Sequence, residues 1–310
     1  MGIFRPPGLV WRRSRSWSCG FTLTEVIVAI VIAFVVAIVL MPAFSRRSHG
    51  GGRQIKDSTQ IRGIHQGMIL WAQNNNDRYP LPSEVDKNDH TVASNGDPES
   101  KDTTANIMSM LIFNGFFSPE LCVSPAESNG NIKIFDGYQY TDPEAAAGAD
   151  KKLALWDPAF SADFTDEVTG GHFSYGHAIP NGPARSKVWS NTFQATEAIL
   201  GNRGPEVSTV TNGRKRDVTA KYRSPSSNTL LIHGGRTTWE GSIAFNDNHV
   251  NFETDVFTKD NGVGYADAQG NVWDDCLFFD EAADVKGTNN FLGMFIGAGK
   301  TSSEFKPIWD

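Results

Sequence analysis

The N-terminal region contains the apolar segment SCGFTLTEVIVAIVIAFVVAIVLMPAFSRR, residues 18–47. It contains sixteen consecutive apolar residues, 26–41. As a helix that rises about 1.5 Å per residue, the segment 21–44 is long enough to cross the roughly 30 Å of bilayer hydrocarbon. The sequence therefore predicts a transmembrane helix over 21–44. A secretory signal peptide is the competing interpretation, but the apolar run exceeds the usual length of about 7 to 15 residues and no clear cleavage site follows it.

One carboxylate, Glu25, lies just inside the leading edge of this apolar run. A charge at the centre of a membrane helix costs about 2.5 to 3.5 kcal/mol, and less near an end, so such a residue usually has a partner. Cleavage after Gly20 would give Phe21 a positive amine, which Glu25 of a neighbouring copy could neutralise. Such a pair would also fix the axial register between copies. The simpler alternative is an incidental charge that reaches the membrane interface.

This N-terminal segment resembles that of type IV prepilins and type II secretion pseudopilins. A short basic leader, residues 1–20, ends in Gly20 and is followed by Phe21, Glu25 and the apolar run. The resemblance implies cleavage between Gly20 and Phe21 by a prepilin peptidase, N-methylation of Phe21, and assembly into a helical filament. It also implies that other pilin or pseudopilin subunits, an inner-membrane assembly platform and membrane lipid are partners. Pro42 is similar to a helix-breaking proline found at this depth in many pilins.

The chain beyond the leader is acidic, with 24 basic and 35 acidic residues and a formal net charge of −11. This balance disfavours nucleic acid as a partner. The whole chain is 39% hydrophobic and 20% charged, which is the composition of a globular protein with a core. The sequence therefore predicts a folded, acidic domain after the N-terminal segment.

The segment after residue 44 predicts a hinge and then a second helix. Three glycines in SHGGGRQ, residues 48–54, predict a flexible hinge over 45–54, because each glycine costs about 1 kcal/mol relative to alanine in a helix. An amphipathic helix is predicted over 55–78, and residues 79–310 read as a β-rich extracytoplasmic head. The helix is predicted from apolar residues at helical spacing: Ile55, Ile61, Ile64, Met68 and Trp71.

The strongest strand signal in the head is GSIAFNDNHVNFE, residues 241–253. Two alternating runs flank the residues 246–248, which tolerate the left-handed backbone of a tight turn. The run SNTLLIHG, residues 227–234, is predicted as another strand. The predicted fold class is therefore α+β and pilin-like. A long N-terminal hydrophobic helix, kinked near Pro42 or hinged at the glycines 50–52, would pack on a C-terminal antiparallel β-sheet.

Further pieces resemble the large pseudopilin-like proteins that are abundant in planctomycetes. They are RGIHQGMILWAQNNNDRYP, LCVSP, FSYGH and LLIHGGRTTWEGSIAFNDNHVNF. The last is similar to a His, spacer, Asp-Gly-His-Val element, but thirteen residues separate His233 from Asp247 here, and Asn248 replaces the glycine. His233 and His249 could converge across the hairpin near Asp247 as a metal site; hydrogen-bonded structural roles are the alternative.

A calcium site is suggested by the resemblance, since some major pseudopilins hold this ion in a C-terminal loop. Here the corresponding stretch is TKDNGVGYADAQGNVWDD, residues 258–275. Ca²⁺ prefers several oxygen ligands, and backbone carbonyls could complete the set. The side-chain candidates are Asp260, Asn261, Asp267 and Asp274. A solvated acidic turn is the alternative.

Two cysteines remain after the leader, Cys122 and Cys276. Outside the cytoplasm they could form a disulfide that closes a long loop, contributing about 2 to 4 kcal/mol. The sequence has no Gly-x-Ser-x-Gly elbow, phosphate-binding glycine loop, HExxH motif or Cys-x-x-Cys pair. The prediction is therefore that the protein is not an enzyme, and an anchored hydrolase is disfavoured.

The expected function is that of a structural pilin-like or pseudopilin subunit, in a secretion pseudopilus, a pilus or an uptake filament. The expected location is the bacterial inner membrane, crossed once, with the head in the periplasm. The alternative is a membrane-anchored extracytoplasmic protein that binds ligands such as glycans. That protein would use exposed aromatic residues such as Trp156, Trp189 and Trp239.

Overall fold

The computed structural model describes most of the chain: residues 22–32, 34, 49–180, 189–212, 218–258, 264–281 and 289–310. The chain divides into two compact units, residues 1–48 and 49–310, which are described separately. In the first unit, residues 23–32 and 34 are helical and form α1. The leader, residues 1–20, lies outside the described residues. Residues 35–48, which include Pro42, also lie outside them.

The predicted long N-terminal hydrophobic helix is wrong for the part of the chain that the structure describes. No helix in that part is both long and apolar enough to cross a membrane. The pilin-like fold class, the transmembrane assignment and the single-pass inner-membrane location rested on that helix and are corrected by this finding.

Helix α2, His49–Gln73, is the longest element of the second unit. Its buried face carries Ile61, Ile64 and Met68, each fully buried, as the apolar spacing predicts, whereas Ile55 of the same predicted stripe is 69% exposed. The helix ends five residues earlier than predicted, because the side-chain amide of Asn74 donates to the Leu70 carbonyl at 3.2 Å and Asn75 repeats this contact with Trp71.

The predicted hinge over 45–54 is not observed at residues 49–54, which are helical. The glycines lie in the first turns of α2, where they extend a helix that is already stabilised by its buried face. Extending an existing helix avoids the cost of nucleation, so the glycine penalty is tolerated. The remaining hinge positions, residues 45–48, lie outside the described residues.

Two shorter α-helices follow, α3 at Pro82–Val85 and α4 at Thr104–Phe113. The Thr103 side chain caps α4 by accepting a hydrogen bond from the Asn106 N–H. Five short 3₁₀ helices are also present in the described residues: Pro98–Lys101, Pro119–Cys122, Lys151–Leu153, Asn228–Leu231 and Ser302–Glu304.

Eleven strands are present in the described residues: β1 Tyr175–Ala178, β2 Ala198–Asn202, β3 Val207–Asn212, β4 Val218–Tyr222, β5 Gly241–Phe245, β6 Val250–Glu253, β7 Gly264–Ala266, β8 Val272–Asp274, β9 Leu292–Gly293, β10 Phe295–Gly297 and β11 Lys306–Pro307. Five of them form an antiparallel sheet in the order β6-β5-β2-β1-β9. The other six form three two-stranded antiparallel pairs, β3 with β4, β7 with β8 and β10 with β11. The antiparallel sheet that the sequence predicts is therefore present.

The predicted hairpin over 241–253 is confirmed as β5 and β6, with Gly241 opposite Glu253 and Ala244 opposite Val250. Asn248 in its turn has φ 67°, a left-handed backbone that asparagine tolerates. The predicted strand over 227–234 is wrong, because this segment holds the 3₁₀ helix Asn228–Leu231. The Ser227 side chain accepts from the Thr229 N–H and so starts that helix.

One large core lies between α2, α4 and the sheet. Strands β1, β2 and β5 are buried at every residue, so the centre of the sheet is covered on both faces. Helix α2 contacts β5, β2 and β6, and the 3₁₀ helix Pro119–Cys122 contacts α2. The polar side chains of α2 that face the sheet are thereby placed inside the head.

Candidate functional site

The N-terminus of α1 is capped by reciprocal hydrogen bonds between Thr22 and Glu25. The Thr22 N–H and hydroxyl both donate to Glu25 Oε2 at 2.8 Å, and Thr22 Oγ1 accepts from the Glu25 N–H at 3.3 Å. This is the capping box formed by Thr and a Glu three residues later. These hydrogen bonds from Thr22 lower the pKa of the Glu25 carboxyl, which is therefore ionised at neutral pH. Sequence reasoning missed this local role, although the Thr-x-x-Glu pattern was visible.

The described part of α1 is apolar on all sides and exposed. Successive residues are about 100° apart around a helix, so the seven apolar residues 26–32 point around the whole circumference. A helix of this kind is usually buried. Eight large apolar side chains are between 44% and 78% exposed: Leu23, Val26, Ile27, Val28, Ile30, Val31, Ile32 and Phe34. A shallow cleft of about 380 Å³ follows one side, lined by Thr24, Glu25, Val28, Ala29 and Ile32.

The predicted processing residues Gly20 and Phe21 lie outside the described residues. Cleavage and N-methylation there stay predictions. Helix α1 begins within two residues of the predicted cleavage point. A terminus created at Phe21 would therefore lie close in sequence to the carboxylate of Glu25.

The turn between β7 and β8 is organised by Asp267. Its Oδ1 accepts from the N–H groups of Gln269 and Asn271 at 3.0 and 2.8 Å. Its Oδ2 accepts from Asn271 Nδ2 and from Trp273 Nε1, each at 2.9 Å. The hydrogen bonds from the Trp273 and Asn271 side chains lower the pKa of Asp267. Beside this turn lies a cleft of about 350 Å³, lined by Gly270, Asn271, Val272 and Trp273.

The predicted calcium ligands are not brought together by the described residues. Asp260 and Asn261 lie outside them, and Asp267 uses both carboxylate oxygens within its own turn. Asp274 is buried at the end of β8. Within the described ranges, no group of three or more His, Cys, Asp or Glu side chains could hold a metal ion. Calcium binding stays a prediction.

Asp57 of α2 joins the helix to the head through three side chains. Asp57 is fully buried, and its Oδ1 accepts from Ser124 Oγ at 2.5 Å and from the Tyr175 hydroxyl at 3.3 Å. His233 Nε2 lies 3.1 Å from Asp57 Oδ2. Burial, followed by the charge of Asp57, raises the pKa of Tyr175. Ser124 and His233 both contact Asp57 rather than each other, which is not the arrangement of a catalytic triad.

The histidines near the β5–β6 turn pair with different carboxylates. His233 contacts Asp57, whereas His249 pairs with Asp247 and stacks on Phe245 at 4.5 Å between ring centroids. The metal site suggested for His233, Asp247 and His249, which are all described residues, is therefore not formed. Asn248, which stands where the similar element has a glycine, lies 3.2 Å from His65 Nδ1 through its Oδ1.

A buried network centred on Tyr79 connects α2 to this turn. The Tyr79 hydroxyl donates to Asn246 Oδ1 at 2.6 Å and lies 3.0 Å from His65 Nε2. Burial lowers the pKa of His65 to about 4, so this imidazole is neutral at physiological pH. Hydrogen bonds among the uncharged side chains of His65, Tyr79 and Asn246 are consistent with a structural role in joining α2 to the β5–β6 turn. The sequence offered no signal for it beyond polar residues at core positions of α2.

The Cys122–Cys276 disulfide is not formed in the structure, where both residues are buried free thiols. The Cys122 carbonyl accepts from the Ser174 N–H at 2.9 Å. Cys276 forms an isolated bridge with Phe257. Burial raises the pKa of both thiols. Neither cysteine is therefore placed as a reactive thiolate.

The three tryptophans expected to form an exposed binding surface are buried. Trp156, Trp189 and Trp239 are at most 2% exposed. Each indole N–H donates to an oxygen inside the fold at 3.0 Å, so these side chains serve the core. Trp273, which lines the cleft at the β7–β8 turn, is only partly buried. The sequence did not single out this tryptophan.

Comparison of the chain with protein-family models, with curated proteins and with solved structures found no match.

Proposed function

We propose that this protein is a structural subunit that assembles with copies of itself through its N-terminal apolar segment, as its resemblance to pseudopilins suggests. Processing by a prepilin peptidase between Gly20 and Phe21 precedes assembly in this proposal. The single observation that carries it is the exposed, all-round apolar surface of α1 next to an ionised Glu25. The activity of the protein is then assembly rather than catalysis.

The apolar surface of α1 supplies the driving force. Burial of one Val, Leu, Ile or Phe side chain contributes about 1.5 to 3 kcal/mol, and eight such side chains are exposed in the described part of α1. A single partner helix would cover only one side of this surface. Complete burial therefore requires several copies around each helix, which favours a bundle or filament over a dimer.

Glu25 supplies the specificity. Of the described residues, Thr22 hydrogen-bonds this carboxylate, and it does so through Oε2. Oε1 can accept a hydrogen bond from the amine that cleavage creates at Phe21 of a neighbouring copy. This amine would otherwise lie unpaired against apolar side chains, where an isolated charge is costly. The pair thus selects one axial register among the many that apolar contacts alone would allow.

Three variants separate the charge of Glu25 from its capping role. Glu25→Gln keeps the capping box, since Gln also serves at this position, but removes the charge. We expect Glu25→Gln and Glu25→Ala to abolish assembly, measured by sedimentation and electron microscopy of cells that co-express a prepilin peptidase. Thr22→Ala removes the cap and keeps the charge, so assembly should weaken but persist.

Mass spectrometry of the N-terminal peptide provides the control for processing. Each variant must show methylated Phe21 as its first residue before its assembly is compared. If processed wild-type protein stays monomeric, the proposed function is wrong. If processed Glu25→Gln assembles like wild type, the apolar assembly stands and the pairing of Glu25 with the terminus is wrong.

A further inference from the structure

We propose that the β7–β8 turn carries a binding site for a neutral saccharide. The site is the cleft lined by Gly270, Asn271, Val272 and Trp273, called the hairpin cleft below. Its volume of about 350 Å³ is at the lower end of the range for small-molecule sites, about 300 to 1,000 Å³. This volume suits one or two sugar rings. The inference is independent of the assembly proposed for α1.

Trp273 offers the apolar wall of the hairpin cleft. One part of this residue packs against the large core, and the side chain stays partly accessible. The indole N–H is held by Asp267 Oδ2 at 2.9 Å, so the orientation of the ring is fixed before a ligand arrives. The C–H face of a sugar ring is apolar and flat, and it matches the face of a fixed aromatic ring.

Asn271 offers the polar contact. Its Nδ2 donates to the same Asp267 oxygen at 2.9 Å, which fixes the orientation of the carboxamide. One of the two N–H donors is engaged in this way, and because Asn271 is exposed, its Oδ1 can accept a hydrogen bond from a hydroxyl group. Asp267 is therefore a positioning residue that holds both walls of the site.

The charge around the hairpin cleft selects for a neutral ligand. Asp267 lies at the turn as a carboxylate stabilised by four hydrogen bonds. A negatively charged sugar acid would be repelled by this carboxylate, whereas an uncharged sugar would not.

Isothermal titration of the full chain with matched sugars tests the site. The probes are maltose, N,N′-diacetylchitobiose, glucose and glucuronate, the last two differing only in the charged group at C6. We expect at least one neutral sugar to bind and glucuronate to bind more weakly than glucose. We expect Asn271→Ala, an exposed position, to weaken binding by about tenfold, with the larger loss for Trp273→Ala.

Two controls keep the test decisive. Phe193→Ala removes an aromatic side chain that is 68% exposed but outside the hairpin cleft, and it should bind sugar like wild type. Trp273→Phe retains a ring in the core if Trp273→Ala fails to fold, and it should still weaken binding because the contact with Asp267 is lost. No binding of any probe, tighter binding of glucuronate than glucose, or unchanged binding in both Asn271→Ala and Trp273→Phe would overturn the proposal.

Discussion

Asp57 lies at the centre of a buried set of polar contacts. It is fully buried and accepts from Ser124 and Tyr175 while pairing with His233. Removing one partner of a buried charged pair costs about 3 to 5 kcal/mol, because the other groups remain desolvated. We expect Asp57→Ala to lower the free energy of unfolding by about this amount, measured by urea denaturation.

The Asp247–His249 pair provides the matched control for Asp57. Both side chains of this pair are about one-third exposed. Exposed ion pairs contribute about 0 to 1 kcal/mol, so Asp247→Ala should change the free energy of unfolding by no more than that. Equal losses in the two variants would contradict the role assigned to burial at Asp57.

Glu281 makes stability depend on pH. Burial, followed by the negative charge of Asp275, raises the pKa of Glu281 from 4.5 to about 10. The folded protein then keeps a proton that the unfolded chain releases above pH 4.5, so stability falls as pH rises from there toward 10. We expect the melting temperature to fall across this range, followed by calorimetry. Glu281→Gln cannot titrate and should show a flatter profile; an unchanged slope would rule out Glu281 as the cause.

At the scale of elements, the glycines of α2 test whether its first turns are helical. A Cβ at Gly51 or Gly52 would meet nothing within 4 Å. Alanine there should stabilise the protein by about 0.5 to 1 kcal/mol per site if these residues are helical. If they form a flexible hinge instead, alanine should change the free energy of unfolding little. Urea denaturation of the double variant measures this. Gly67→Ala is the control and should destabilise, because its Cβ would lie 2.9 Å from Phe117 Cδ1.

The same elements show what the sequence could predict. The helix over 55–73 and the hairpin over 241–253 were predictable, because their apolar spacing and turn residues are local signals. The segment 227–234 was not, since its β-like composition is overruled by the Ser227 cap. Helix at residues 49–54 was also missed, because it depends on packing further along α2 rather than on the glycines themselves.

Some of the candidate sites could likewise be predicted from local sequence signals, whereas others depend on the fold. The capping box at Thr22 and Glu25 could have been found from its spacing alone. The partners of Asp57 are 67, 118 and 176 positions away along the chain, so only the fold brings them together. Burial of Trp156, Trp189 and Trp239 likewise follows from tertiary packing, which a list of aromatic residues does not show.

For the whole molecule, the folded core belongs to the second unit, whereas the surface proposed for assembly belongs to α1 of the first unit. Every residue of the large core lies between Ile61 and Ile308, within the second unit. A fragment of residues 49–310 should therefore unfold cooperatively in calorimetry. It lacks the apolar surface of α1, so light scattering should show a monomer at concentrations where the processed full chain assembles. A fragment that assembles as the full chain does would place the contacts between copies in the head and contradict the role proposed for α1.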